Sequence, residues 1–229
     1  MKNIKLALAA ALGLAIIFFA CEEKKTEQEV SQEIAAQLKA EAKREAYIKA
    51  NGGTFTDTRD STIYKTVKIG EQVWMAENLN YNADGSRCYA NEESNCQKYG
   101  RLYNWETAMK VCPSGWHLPD ANEWKPIVNL AGGEEKAGKE LKASSGWKDS
   151  EDGDKNGNGT DNYGFFALPG GYGNSDGSFN SVGNHGDWWS SFEKDSDYAY
   201  DGGLSYNYEG VYYTSTDKKE LRSIRCLKN

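Results

Sequence analysis

Oxygen-bearing side chains alternate along a glycine-rich segment between residues 152 and 161, a pattern that could hold a cation. Carboxylate and amide groups at every second position let a hard cation collect oxygen ligands, as in the first half of an EF-hand loop. The twelfth position of that loop supplies a bidentate Glu; here it is Tyr163, and Asp161 is the side chain that would replace the Glu. The segment predicts a weak calcium site, with a solvated acidic turn as the alternative. The alternating residues are Asp152, Asp154, Asn156 and Asn158.

Two adjacent tryptophans, Trp188 and Trp189, follow Gly-rich sequence and are the residues best suited to a ligand platform. Neighbouring positions on a strand face opposite sides, so we expect one ring in the core and the other exposed. An exposed indole can stack on a sugar ring, with Tyr172 or His185 beside it. The alternative is that both rings are packing residues. We expect the second histidine, His117, to be structural.

No group of residues has the pattern of a catalytic centre. The sequence holds two histidines and no Gly-x-Ser-x-Gly motif. A glycosidase needs two placed carboxylates, and the acids of this chain lie in charged runs that single out no pair. Residues 170–173 are Gly-rich but precede no predicted helix, so they do not form a phosphate-binding loop. The sequence therefore predicts a protein that is not an enzyme.

Four cysteines, Cys88, Cys96, Cys112 and Cys226, follow the N-terminal region, and an even set in an exported chain suggests two disulfides. Three pairings are possible. Cys88 and Cys96 close a short polar loop, as a local clamp would. A bond between Cys112 and Cys226 would tie the start of the fold to its end. A four-cysteine zinc site would need close spacings such as Cys-x-x-Cys, which the sequence lacks.

Residues 1–20 have the pattern of an export signal, since Lys2 and Lys5 precede the apolar run Leu6–Ala20. The run is too short to cross a hydrocarbon core of about 30 Å comfortably. It ends at Cys21 after a small residue, which resembles a bacterial lipobox. We expect a lipoprotein signal peptide over 1–20 and acyl chains, palmitate among them, on Cys21 that hold the chain at a membrane. A plain secreted protein cleaved at the same place is the alternative.

Residues 21–54 are rich in good helix formers and predict a charged helical stalk. Val30, Ile34 and Leu38 form one weak apolar stripe, which favours a solvated spacer over a short coiled coil. Asn51-Gly52-Gly53 is a helix stop. The net charge is −7, which disfavours nucleic acid as a partner, because there is no cationic field to displace counterions.

Residues 55–229 predict one domain of the α+β class. Strands flank a hairpin at Gly70-Glu71, a helix is expected over 99–111, and a second helix begins at Asp120, with Glu123 in capping-box spacing. Residues 144–187 predict a long loop region. The tail predicts a β-meander whose turns are Asp201-Gly202-Gly203, Glu209-Gly210 and Asp217-Lys218-Lys219, with a last strand over 221–227.

Six motifs in order resemble the Fibrobacter succinogenes major paralogous domain, over nearly all of 62–228. Members of that family are typically exported and often lipid-anchored, and the resemblance assigns no biochemical activity. The motifs begin at Thr66 (TVKIGEQVWMAENL), Tyr99 (YGRLYNW), Cys112 (CPSGWHLP), Gly164 (GFFALPGGY), Trp188 (WWSS) and Ser223 (SIRC).

The chain is also similar to C-type-lectin-like domains, through Trp105-x-x-Ala108-x-x-x-Cys112 followed by Gly115 and Leu118. That resemblance implies a disulfide between Cys112 and the terminal Cys226. It also implies that the long loop region carries ligands. The Glu-Pro-Asn and Gln-Pro-Asp motifs of calcium-bridged sugar binding are absent from the sequence.

These observations together predict a non-catalytic, lipid-anchored binding module of the bacterial envelope, at the outer membrane, the cell surface or in the periplasm. Polysaccharide binding or cell adhesion is the expected role. A structural or protein-interaction lipoprotein of the envelope is the alternative. An enzyme of the formylglycine-generating kind is a third reading, and it would need a reactive cysteine pair or a metal site.

Overall fold

The computed structural model describes residues 26–150 and 157–229. The chain divides into two compact units, of which the first ends at Leu38 and the second covers Lys39–Asn229. The signal peptide, Cys21 and three of the predicted calcium ligands, Asp152, Asp154 and Asn156, lie outside the described residues. Within those residues, no helix combines the length and the apolar character that a membrane span requires.

The first helix, α1 (Glu27–Asn51), ends where the predicted stop begins. Strand β1 (Gly52–Thr56) follows it directly and pairs with β2, described below. In the second unit, Arg44 and Ile48 of α1 are buried. The second unit thus includes the last part of α1 together with the residues of the domain predicted over 55–229.

A five-stranded sheet joins both ends of the domain sequence. Its strand order is β1, β2 (Ile63–Ile69), β3 (Gln72–Met75), β10 (Leu227–Lys228) and β4 (Trp116–His117). The hairpin of β2 and β3 was predicted at Gly70, whose φ of 61° suits glycine. Strand β10 lies between β3 and β4, so the C-terminus is part of the sheet.

The helix predicted over residues 99–111 is confirmed only from Trp105 onwards, and its start falls on the end of a separate helix. Helix α2 (Glu93–Tyr99) ends at Gly100, whose φ is 77°, and α3 (Trp105–Val111) begins after Asn104, whose side chain accepts the Thr107 N–H at 2.9 Å. The chain between the helices is extended because Leu102 and Tyr103 bridge to other segments. Those long-range bridges are not visible in the local pattern.

The capping box predicted at Asp120 is confirmed. Its carboxylate accepts the Glu123 N–H at 2.9 Å, and the Glu123 carboxylate accepts the Asp120 N–H at 2.9 Å. Helix α4 (Ala121–Leu130) follows, with Ile127 and Val128 buried, and then the short helix α5 (Ala137–Leu141).

The described part of the long loop region, 144–150 and 157–187, contains no helix. Strands β5 (Tyr172–Gly173) and β6 (Phe179–Asn180) are its short regular elements. The indole N–H of Trp147 anchors the loop to the Ala167 carbonyl at 3.0 Å. The prediction of an irregular region with internal anchors is confirmed for these residues as far as Asn184, and residues 185–187 belong to the next strand.

A three-stranded antiparallel sheet forms the rest of the domain, from β7 (His185–Glu193), β8 (Tyr198–Ser205) and β9 (Tyr212–Asp217). The predicted turn at Asp201-Gly202-Gly203 is wrong, because β8 runs straight through it. A Cβ on Gly203 would lie within 2.4 Å of both the Asp187 carboxylate and the Tyr212 ring, so glycine here makes room for neighbours. The predicted last strand over 221–227 is reduced to single bridges before β10.

Both disulfides are as predicted, Cys88–Cys96 and Cys112–Cys226. Trp188 lies in one apolar cluster and Trp189 in another, so both faces of the β7–β9 sheet are covered. The described residues have the predicted α+β class, with helices and several small antiparallel sheets.

Candidate functional site

An aromatic cavity lies between α4 and the β7–β9 sheet, with a volume of about 230 Å³. Alternation along the strands brings side chains two residues apart in sequence to the same face, and α4 contributes the facing wall. The lining is almost entirely apolar. Its principal side chains are Trp124, Val128, Trp188, Phe192, Tyr200 and Tyr213.

Gly202 keeps the cavity open. It lies in β8 between Tyr200 and Leu204, where a larger residue would direct its side chain to the same face. It pairs with Tyr213 of β9, and a Cβ at this position would meet that ring at 3.5 Å, an ordinary contact. Its backbone is not left-handed, so glycine is not required by conformation.

Exposed rings surround the mouth of the aromatic cavity. Phe192 is 55% exposed and Tyr213 is 49% exposed, although both are large hydrophobic residues of a sheet. The rings of Phe192 and Tyr200 pack at 5.6 Å between centroids. Aromatic side chains exposed around an apolar hollow are typical of binding surfaces.

The opposite face of the same sheet carries a buried charged cluster. Arg222 donates to the Asp201 carboxylate at 3.0 Å and to the Glu220 carboxylate at 2.8 Å. Burial raises the pKa of Asp201 to about 6, although Arg222 acts in the other direction. Burial also raises the pKa of Asp187, whose Oδ2 is buried and has no hydrogen-bond partner in the described part of the chain.

A chain of hydrogen bonds leads from this cluster towards the surface. Tyr212 donates its hydroxyl proton to the Asp187 carboxylate, and His185 Nδ1 lies 2.9 Å from the same tyrosine oxygen. Burial raises the pKa of Tyr212 far above its ordinary value and lowers the pKa of His185. The arrangement holds the sheet together behind the aromatic cavity.

The four predicted ligand-binding residues do not form one surface. Both tryptophans are buried, Trp188 at 4% and Trp189 at 0% exposure. The hypothesis of an exposed indole platform is therefore wrong, and the alternative, in which both rings are packing residues, is confirmed. The reason is that β7 has a core on each side. Tyr172 packs under the Arg222 guanidinium at 4.6 Å, and His185 bonds to Tyr212. Only Trp188 of the four lines the aromatic cavity.

Of the predicted calcium ligands, Asn158 and Asp161 fall within the described residues. Asn158 Oδ1 accepts the Trp147 N–H at 2.9 Å. Asp161 is buried, accepts the Phe166 N–H at 2.8 Å and lies 3.9 Å from the Arg44 Nε. The Asp161 carboxylate therefore faces an internal arginine. Because Asp152, Asp154 and Asn156 lie outside the described residues, the calcium site stays a prediction.

His117 bridges structural partners, as expected. Its Nε2 lies 2.8 Å from the Glu123 carboxylate and its Nδ1 lies 2.7 Å from the Asn229 side chain. In the described part of the chain, one close group of metal-type ligands occurs, formed by Cys88, Glu93 and Cys96. The two sulfurs of that group are joined in a disulfide and offer no thiolate to a metal.

Most residues that line the aromatic cavity were not predicted from the sequence as site residues. Tyr200 and Tyr213 lie in the segment predicted as a β-meander, and the sequence pattern does not single out Phe192. Tyr200 and Tyr213 meet because β8 pairs with β9 through the predicted turn. The sequence predicts a turn at residues 201–203, so it does not predict the continuous strand Tyr198–Ser205 that makes this contact.

Comparison with curated proteins finds no match, and comparison with solved structures finds none. Comparison with protein families matches residues 67–228 to the Fibrobacter succinogenes major domain. That match covers well over half of the chain, and the protein belongs to this family.

Proposed function

We propose that the protein is a non-catalytic binding module of the bacterial envelope and that the aromatic cavity is its ligand site. The observation that carries this proposal is the cavity itself, an apolar hollow of about 230 Å³ with exposed Phe192 and Tyr213 at its mouth. A few aromatic anchors in a pocket supply most of the binding energy at many interfaces.

The lining favours an apolar ring over a hydroxylated one. A hydroxyl buried without a partner costs about 1–3 kcal/mol, and the cavity walls offer almost no polar atom to receive it. An apolar cavity of about 150 Å³ is large enough for benzene. The aromatic cavity has room for the side chain of a Phe, Tyr or Trp from a partner protein. Adhesion through a protein partner is therefore the leading function.

Polysaccharide binding is the second candidate, and the exposed rings favour it. A sugar could stack its apolar face on Phe192 and Tyr213 at the mouth while its hydroxyls stay in water. In this mode the interior of the cavity would stay unfilled. The two candidates therefore differ in how deep the ligand sits.

The position at a membrane is part of the same proposal. Acyl chains on Cys21 would anchor the chain at the outer membrane, at the cell surface or on the periplasmic side, and α1 would begin a few residues later. The charge of −7 argues against a nucleic-acid partner. Incorporation of labelled palmitate by the wild type, and its loss in Cys21→Ser, tests the anchor.

The C-type-lectin-like fold is a further proposal. It is supported by the Cys112–Cys226 disulfide, which joins the end of α3 to the chain terminus, and by the largely irregular region that follows α5. An experimental structure with the topology of another fold class would refute it.

The experiment uses the full chain and two kinds of probe, indole for an apolar ring and cellohexaose for a sugar. Titration calorimetry should show indole binding to the wild type, and Gly202→Leu should weaken it at least tenfold by filling the cavity. Met109→Ala is the control, because Met109 lies on α3, does not line the aromatic cavity and is 44% exposed, similar to Phe192 at 55%. The proposal fails if indole does not bind the wild type, or if it binds the wild type and Gly202→Leu equally well. Cellohexaose binding that Phe192→Ala abolishes and Gly202→Leu preserves would establish the second candidate instead.

A further inference from the structure

A second cavity, of about 330 Å³, lies among β2, the segment 77–80, the end of α2 and residues 166–168. In contrast to the aromatic cavity, it combines polar and apolar side chains. We call it the polar cavity. Its principal lining residues are Glu77, Asn80, Gln97, Lys98, Tyr99 and Phe166.

Asn80, one of the lining residues of the polar cavity, has an unsatisfied acceptor. Asn80 Oδ1 is buried and has no hydrogen-bond partner among the described residues. The backbone of the same residue is fixed, since its N–H donates to the Tyr64 hydroxyl at 3.0 Å. An unpaired buried acceptor costs about 1–3 kcal/mol, so a donor supplied from outside would relieve this cost.

One wall of the polar cavity is held in a strained conformation. Phe166 has a φ of 55°, which is costly for a bulky residue, by about 1–3 kcal/mol. Asp161 accepts its N–H at 2.8 Å, and the Arg44 guanidinium lies 3.9 Å from its ring centroid. These two contacts, both from well-buried charged residues, fix the aromatic ring as an apolar wall.

The charges of the polar cavity select for a neutral ligand. Glu77 and Lys98 carry opposite signs, so neither an anion nor a cation is favoured by the cavity as a whole. The Glu77 carboxylate accepts the Lys65 N–H at 2.9 Å, which fixes its position, and the Lys98 ammonium lies 4.8 Å from the Tyr99 ring. The lining thus offers donors, acceptors and ring faces together.

We infer that the polar cavity is a second binding site, for a small neutral ring that carries hydroxyl groups, such as one sugar residue. A hydroxyl of the ligand donates to Asn80 Oδ1, and the apolar ring face lies against Phe166 or Tyr99. This inference does not depend on the proposed function, because the two cavities share no lining side chain.

The test measures binding of methyl glucoside and methyl N-acetylglucosaminide to the full chain by titration calorimetry. We expect one of them to bind the wild type and Asn80→Leu to weaken that binding at least tenfold, which corresponds to about 1.4 kcal/mol. Lys98→Ala is a second variant at an exposed residue, expected to fold normally and to weaken binding by about threefold. Gly202→Leu, which fills the other cavity, should bind the sugar as the wild type does.

Two outcomes overturn the inference. The first is that neither sugar binds the wild type, in which case water alone satisfies Asn80. The second is that binding is unchanged in both Asn80→Leu and Lys98→Ala, in which case the sugar lies elsewhere. Loss of indole binding in Gly202→Leu with retained sugar binding would separate the two sites completely.

Discussion

The aromatic cavity, of about 230 Å³, and the polar cavity, of about 330 Å³, differ in the groups that they leave unpaired. The aromatic cavity is open because Gly202 contributes no side chain, and an apolar group would fill it. Asn80, which lines the polar cavity, has an acceptor with no donor among residues 26–150 and 157–229, and Phe166 is strained at the cavity wall. The unsatisfied group, more than the volume, therefore indicates which ligand a cavity accepts.

The two cavities share a wall. Phe165 lines the aromatic cavity and the next residue, Phe166, lines the polar cavity. Trp188, from the aromatic side, donates its indole N–H at 2.8 Å to Asn78, which lines the polar side. Arg225 lies fully buried in this wall and donates to the Asn78 side chain and to the Phe165 carbonyl.

The largest expected effect comes from removing the Cys112–Cys226 disulfide, which breaks both sites at once. It closes a separation of 114 residues, and the chain-entropy relation gives a loss of about 5 kcal/mol for the double alanine variant. Guanidinium unfolding measures the change. A loss of this size would use up much of the stability of an ordinary domain.

The Cys88–Cys96 disulfide is the matched comparison, because Cys96 lines the polar cavity alone. Its separation is 8 residues, so the double alanine variant should lose about 2.5 kcal/mol. Methyl glucoside binding should weaken while indole binding persists. Equal losses of stability in the two double variants would contradict the assignment of one bond as global and the other as local.

The second effect concerns the shared wall. Arg225→Met keeps the apolar stem but removes the donors to Asn78, Met75 and Phe165, which leaves buried acceptors unpaired. We expect a loss of about 3 kcal/mol in the free energy of unfolding, and weaker binding of both probes. Arg87→Met, at an exposed arginine, is the control in the same unfolding assay. If Arg225→Met changes neither the free energy of unfolding nor the binding of the two probes, the wall does not couple the cavities.

Local signals in the sequence predicted local structure well. The capping box at Asp120 and the hairpin at Gly70 depend on neighbours within a few residues, and both are confirmed. Asp201-Gly202-Gly203 has the local composition of a turn, but the buried Asp201–Arg222 pair and the room that Gly203 leaves for other side chains keep β8 extended. Long-range packing overrides the turn preference there.

Local sequence signals do not predict the candidate site. Trp124, Phe192 and Tyr213 come from three separate elements, and only strand register and helix placement bring them together. The unpaired oxygen of Asn80 is likewise a property of the packed structure and leaves no signal in the sequence.

The smallest expected effect is a dependence of stability on pH. Burial raises the pKa of Asp201 to about 6, so the folded protein binds a proton there more tightly than the unfolded chain does. Stability from this group therefore increases as the pH falls from 7 to 5, and is lost as the pH rises through about 6. Relative to Asp201→Asn, the wild type should gain about 1 kcal/mol over this interval.

This change of stability with pH should come from Asp201, in the sheet behind the aromatic cavity. His185, whose lowered pKa acts in the opposite direction, is present in both proteins and cancels in the difference. Asp176→Asn is the control, because a hydrogen bond to Ser178 lowers the pKa of that exposed carboxyl and it titrates below the interval. Urea unfolding at pH 5, 6 and 7 measures the difference. If Asp201→Asn and Asp176→Asn follow the same pH dependence, Asp201 is charged in the folded protein throughout, and the Arg222 ion pair outweighs its burial.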